Sequence, residues 1–163
     1  MLCSFRTVIT TSLVAAAASM LTSTEPAGAA TQGGICNPTR VKFLASDRDT
    51  SSTGSANFVN LPEGVVTFTQ GGPVSSCVIV TFSASVNPQG AKLFIRAFLD
   101  NATAALPSEF EVEPGNANTS NSFAFIFPSV SPGSHTVRIQ YRSGDAPAPV
   151  LVRRHNTIVI FKP

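Results

Sequence analysis

From residue 40 onward the chain runs in short stretches where apolar and polar side chains alternate, each closed by Pro, Gly, Asn or Ser. A period of two is the signature of strands with one face covered, and a helical repeat is hard to find anywhere after residue 30. Val41 and Phe43 alternate with Arg40 and Lys42, which predicts a half-buried strand with the apolar pair turned inward. Val65–Thr69 follows a Pro62-Glu63-Gly64 turn. Cys77–Ser83 is apolar on both faces and predicts a central strand. Leu93, Ile95, Ala97 and Leu99 share one face of the next run, with Phe94, Arg96 and Phe98 on the other. Phe110 and Val112 oppose Glu109, Glu111 and Glu113. Phe123, Phe125 and Phe127 line a strand expected to stop at Pro128. Val137, Ile139 and Tyr141 oppose Thr136, Arg138, Gln140 and Arg142, and Thr157–Phe161 closes the series. About eight strands at roughly 10–15-residue spacing, without amphipathic crossover helices, predict an all-β, antiparallel two-layer sandwich of jelly-roll type. Ser46–Ser55, Pro114–Asn121 and Ser143–Pro149 read as connecting loops, and Asn101–Leu106 has room for a single helical turn.

The first residues carry a different pattern. Arg6 precedes a run that is apolar or small throughout, Val8–Leu21, and Ala27, Ala29 and Ala30 supply the small residues that a signal peptidase reads. Residues 1–30 are therefore expected to be an export signal, cut after Ala29 or Ala30, leaving residues 31–163 as one β-sandwich domain. The run is shorter than the ~20 apolar residues needed to span a bilayer, and no later segment approaches that length, so the processed chain is expected not to cross a membrane. Cleavage removes Cys3. Cys36 and Cys77 remain, and two lone cysteines in an oxidising compartment are expected to form a disulfide. No Cys-x-x-Cys or His-x-x-x-His accompanies them, so the sequence implies no metal or other cofactor.

Thr81–Ala84 (TFSA), Leu93–Asn101 (LFIRAFLDN), Pro132–Arg142 (PGSHTVRIQYR) and Arg154–Ile160 (RHNTIVI) together resemble a diffuse group of exported bacterial proteins. That group has strands of the form F-S-A, I-R-x-x-x-D-G, P-G-x-H-T-V-x-x-Q-[WY] and R-T-L-x-V. Asn101 stands where a Gly is usual, Tyr141 where a Trp is frequent, and His155-Asn156 interrupts the closing pair. The resemblance spans roughly residues 55–161. It implies a jelly-roll-like sandwich of unassigned function, and it implies neither a catalytic residue nor a disulfide pairing.

Composition narrows the function classes. Charged residues are 12% of the 163, about half of what is typical, while 43% are hydrophobic. Eleven Lys and Arg against nine Asp and Glu leave +2, and the arginines have no interleaved aromatic residues, so nucleic acid is not an expected partner. His135 shares parity with Val137 and Ile139 and is expected to point inward or to cap its strand beside Ser131–Ser134. His155, after Arg153 and Arg154, is expected to be solvated. No G-x-S-x-G elbow presents a serine nucleophile, and a disulfide would occupy Cys36 and Cys77. Asp47, Asp49 and Ser51 invite a calcium reading, but Ser52 and Phe58 stand where an EF-type loop needs Gly and Glu, and Arg48 is a ready countercharge. Glu109, Glu111 and Glu113 read as charges that keep an edge soluble. Asn101-Ala102-Thr103 and Asn118-Thr119-Ser120 match the N-glycosylation acceptor. Arg138, Arg142, Arg153 and Arg154 would form one ligand or partner surface if the last two strands pair, with Glu111 and Glu113 as carboxylates within reach.

The sequence thus points to a secreted or periplasmic, non-enzymatic structural or interaction module whose partner is an unidentified protein or glycan. A carbohydrate-binding module and an oligomeric, trimeric jelly-roll recognition protein are the alternatives. The first needs exposed aromatic rings, for which Phe94 and Phe98 are the candidates. The second needs apolar residues left on an outer face.

Overall fold

The structure, a computed structural model, describes residues 36–163. The expected export signal and its cleavage site lie outside the described residues. Ten strands follow one another: β1 Arg40–Ser46, β2 Ser51–Thr53, β3 Val59–Gln70, β4 Ser76–Asn87, β5 Leu93–Leu99, β6 Thr103–Ala104, β7 Phe110–Val112, β8 Thr119–Val130, β9 Gly133–Ser143 and β10 Val150–Phe161. They make two antiparallel five-stranded sheets. One runs β1-β10-β4-β8 with β2 also on β10, and the other runs β3-β9-β5-β6 with β7 also on β5. β1 and β2 lie end to end along β10, and β6 and β7 along β5, so ten strands fill eight positions. The sandwich read from the periodicity is the fold observed, and no helix among the described residues is long and apolar enough to cross a membrane.

Alternation decides what is inside. Val78, Val80, Phe82, Ala84 and Val86 of β4 are buried, as are Leu93, Ile95, Ala97 and Leu99 of β5 and Val137, Ile139 and Tyr141 of β9. Aromatic rings lock the layers together. Phe110 of one sheet meets Phe123 and Phe125 of the other at 5.4 and 5.2 Å, and Phe68 meets Phe161 at 5.1 Å. Each such ring pair contributes about 0.5–1.5 kcal/mol beyond the area it buries. β4 lies between β10 and β8, as its two-sided apolar character requires.

Several local expectations are corrected. Pro62-Glu63-Gly64 is a bulge inside β3, where the pairing with β9 jumps from Asn60↔Gln140 to Val65↔Arg138. β8 continues past Pro128, which sits exposed at an irregular stretch of an edge strand, where its missing N–H costs no ladder bond. Asn101–Leu106 forms a turn and the short β6 rather than a helical turn. Asp100 and Asn101 there both adopt left-handed φ, 52° and 59°, which Asp and Asn tolerate better than most residues. Val41 and Phe43 do not face the core. Their partners across the ladder are Ile160 and Ile158, which lie on the outer face, and they remain 62% and 72% exposed.

Cys36 and Cys77 are bonded, with Cα atoms 5.5 Å apart. The Thr39 amide also donates to the Phe161 carbonyl at 3.1 Å, so the segment entering β1 is tied to β10 by the backbone and to β4 by the disulfide. Replacing both cysteines by serine is expected to cost about 4 kcal/mol on the chain-entropy account of a 41-residue separation. A calorimetric Tm lowered by roughly 15 °C would match that cost for a domain of this size. An unchanged Tm would mean that backbone pairing alone holds β1.

Candidate functional site: two unlike outer faces

The outer face of the β3-β9-β5 sheet is a layer of interleaved Phe and Arg, which corrects the expectation that the arginines lack aromatic neighbours. Phe94, Arg96 and Phe98 of β5 stand opposite Arg142, Gln140 and Arg138 of β9. The Arg96 guanidinium lies 4.0 Å from the Phe58 ring and 4.6 Å from Phe98, and that of Arg142 lies 3.9 Å from Phe94 and 5.0 Å from Phe58. Arg96 Nε donates to Gln140 Oε1 at 2.8 Å, and Gln140 Nε2 donates to Asn60 Oδ1 at 2.8 Å. Burial and the neighbouring Arg142 charge hold the Arg96 pKa below its usual value, opposed only by Glu109. Arg142 reaches Glu109 at 3.4 Å, and Lys92 pairs with Glu111. The carboxylate met by an arginine here is thus Glu109, not the expected Glu111 or Glu113. Phe94 and Phe98 do lie on an outer face, but the guanidinium groups roof them and all three rings are only half-exposed.

Of the four arginines read as one surface, the fold brings together only two. β9 and β10 belong to opposite sheets, so the last two strands do not pair. Arg138 and Arg142 face out from one sheet, while Arg153 and Arg154 belong to the other. The cause is the Gly144–Pro149 connection, which carries the chain from one layer to the other.

The outer face of the β1-β10-β4-β8 sheet grades from apolar to polar in rows set by the register. The first row is Val41, Ile160, Ile79 and Ile126, and the second is Phe43, Ile158, Thr81 and Ala124. The third is Ala45, Asn156, Ser83 and Ser122, with the two serine hydroxyls 2.9 Å apart. The fourth is Arg153, Ser85 and Ser120. A bulge at Arg154, whose φ is 24°, breaks the β10 ladder between the third and fourth rows. Around it lies a shallow depression of about 420 Å³ lined by Asp47, Ser83, Ser85, Ser120, Arg154 and Asn156, among others. A second, of about 360 Å³, shares Ser85 and Arg154 and adds Asp49, Asn118 and Arg153. Asn156 Oδ1 and Arg153 Nε are buried atoms without a hydrogen-bond partner. Arg154 lies 3.7 Å from Asp49, both well exposed. Asp47 and Asp49 line separate depressions, and among the described residues no group of three or more His, Cys, Asp or Glu is placed to hold a metal ion.

The two histidines differ from each other and partly from expectation. His135 Nδ1 bonds Asp100 at 2.6 Å and Nε2 bonds the Ser131 carbonyl at 2.8 Å, as a strand-start histidine beside that turn should. Burial works against the Asp100 carboxylate, but the bonds from His135 and from the Thr136 amide outweigh it and hold its pKa below the usual value. His155 is not solvated. It is 4% exposed within β10 and packs on Phe82 at 5.7 Å, because the Arg154 bulge resets parity and turns the residue inward. Its surroundings are Ser46 of β1, Glu63 of the β3 bulge and Arg48 of the β1–β2 loop; the Ser46 hydroxyl donates to Glu63.

No protein-family model matches this sequence, and no curated protein is similar to it. Among solved structures the chain is similar to the dimeric latent PorU from Porphyromonas gingivalis, at 11% identity and TM-score 0.49 over 82% of this chain. The VP2 subviral particle of infectious bursal disease virus superposes at 12% identity and TM-score 0.48 over 76% of this chain. The chain spans only 13% of that PorU and 32% of that VP2. It also spans 96% of the CBM36-1 domain of a multidomain xylanase from the hindgut metagenome of Trinervitermes trinervoides, at 10% identity and TM-score 0.40 over 73% of this chain. These likenesses assign no residue of this chain a role.

Burial pushes the His155 pKa down, opposed by a hydrogen bond to the Glu63 backbone and by the Glu63 charge. The unfolded chain therefore takes up this proton more readily than the folded one. The stability that the neutral ring contributes is complete above about pH 6.5 and is lost as pH falls through the lowered folded value. Asp100 and Glu63, whose pKa values are lowered from 3.8 and 4.5, act at more acid pH. Tm is expected to fall from about pH 7 to about pH 5 in the native protein and to fall less in His155→Gln. Equal slopes would assign the fall to another group.

Proposed function

We propose that the chain from about residue 31 is a secreted, non-enzymatic interaction module of the cell envelope or extracellular space. It holds its partner on the outer face of the β1-β10-β4-β8 sheet. The observation that carries this reading is the bareness of that face. Val41, Phe43 and Ile126 stay 62%, 72% and 41% exposed in one contiguous area, whereas the phenylalanines of the opposite face are roofed by arginine. Contiguous exposed apolar surface on a small domain marks a place of contact. The disulfide supports an oxidising compartment, as does the signal-like start of the sequence. The non-enzymatic reading is supported by the duties of the titratable groups. His135 is fixed by Asp100 and Ser131, His155 packs inside the sandwich, and both sulfurs are bonded.

Labelled protein is expected to sediment with isolated envelopes or extracellular matrix of the cells that make it. Val41→Ser/Phe43→Ser should weaken this at least tenfold, since each side chain is worth about 1.5–3 kcal/mol when fully covered. Arg96→Ala/Arg142→Ala, on the opposite face, should leave it unchanged. No sedimentation of the native protein, or loss only in the arginine variant, would overturn the assignment of the face.

A further inference from the structure

The geometry points to a neutral glycan as the ligand of this face, with Phe43 as its stacking ring and the Asn156 row as its hydrogen-bonding floor. This rests on the interaction face assigned above and names the chemistry of its ligand. Phe43 and Ala45 point the same way from β1, one pleat repeat, or about 7 Å, apart. The ring thus stands one saccharide's reach from the third row, where Ala45, Asn156, Ser83 and Ser122 lie side by side. A pyranose offers an apolar C–H face and a rim of hydroxyls. The surface offers the matching pair: a bare phenyl ring beside short hydroxyl and amide side chains.

Unmet hydrogen-bonding capacity lies in the same place. Asn156 Oδ1 is a buried acceptor and Arg153 Nε a buried donor, and neither has a partner. Buried polar atoms are rarely left so; both are closed off from solvent, so a ligand would satisfy them only with a turn of the Asn156 amide or the Arg153 side chain that brings them to the surface. A sugar hydroxyl both donates and accepts, so one chemical group can answer both. The two depressions adjoin through Ser85 and Arg154 and are open to the surface, the shape an extended chain of sugars would lie along.

Charge selects a neutral ligand. Asp47 and Asp49 balance Arg153 and Arg154 around these depressions, and Asp49 already faces Arg154 at 3.7 Å. Such a floor gives an anionic saccharide no net attraction and obliges it to displace an aspartate. The opposite face fits a neutral glycan less well. Its guanidinium groups occupy the ring surfaces a sugar would stack on, and the Gln140 and Asn60 amides are bonded to each other and to Arg96.

The test is titration calorimetry of the intact protein with cello-, xylo-, manno- and malto-hexaose and, in parallel, with oligogalacturonate. Binding of at least one neutral hexasaccharide is expected, weakened about tenfold or more in Phe43→Ala and about five- to tenfold in Asn156→Ala. Phe43→Trp should keep or tighten it, which a merely structural role for the ring would not produce. No neutral hexasaccharide bound at about 10 mM, binding of oligogalacturonate alone, or equal affinity in Phe43→Ala would each overturn the glycan assignment. So would a dimer in light scattering that Val41→Ser/Phe43→Ser abolishes while all the sugars stay unbound. If envelope sedimentation persists without sugar binding, the face stands and only its ligand class falls.

Discussion

Register is the constraint from which everything else in this molecule follows. Side chains alternate strictly across a sheet, so the inward columns of β10, β4 and β8 fix what their outward columns must be. Val80, Phe82, Phe125 and Val159 are committed to the space between the layers, where rings from both sheets meet within about 5–6 Å. A slip by one residue would put those rings into water and bring Ile79, Thr81, Ser83 and Ser85 inside. The apolar-to-polar gradient on the outer face is therefore the complement of the core, held as firmly as the core itself.

The bulge at Arg154 is where this rule is broken, and the break creates the polar half of the face. One extra residue in β10 lets Arg153 pair with Ser85 while His155 pairs with Ala84. Both sides of the break keep their alternation, but the join bends and opens the surface. On the inner side the same residue turns His155 towards Phe82, near Glu63 and Ser46. The β3 bulge supplies Glu63 to that cluster with a φ of 60°. Two irregularities in opposite sheets thus meet at one end of the sandwich and place polar groups inside it.

Much of the fold was legible because its strands bury a face. Leu93–Leu99 and His135–Arg142 alternate cleanly, and the structure follows them residue by residue. β1 misleads for a physical reason. Its alternation is equally clean, but it is an edge strand, and the pattern does not tell which side the core lies on. Arg40 and Lys42 share the inner side with Phe161 and Val159 yet remain exposed. Long cationic side chains can lie along apolar surface at a rim and still reach water. Val41 and Phe43 are thereby left outside. The arginine surface was misassembled because sequence adjacency of β9 and β10 carries no information about which layer each joins. His155 was misplaced because a bulge has no reliable signature in a run such as Arg153-Arg154-His155-Asn156.

The two outer faces show that what becomes of an exposed phenylalanine is decided by its neighbours on the same face. Phe94 is covered by Arg142, its partner across the ladder, and Phe98 by Arg96, two residues earlier on its own strand. Phe43 stands opposite Ile158, whose short branched side chain cannot reach over a neighbouring ring. The first arrangement removes apolar surface from water within the molecule and pairs part of its charge with Glu109. The second leaves that surface to be covered from outside. The residue types involved were visible in the sequence, but the pairings were not, because they depend on a register between strands that are about forty residues apart in one face and more than a hundred apart in the other.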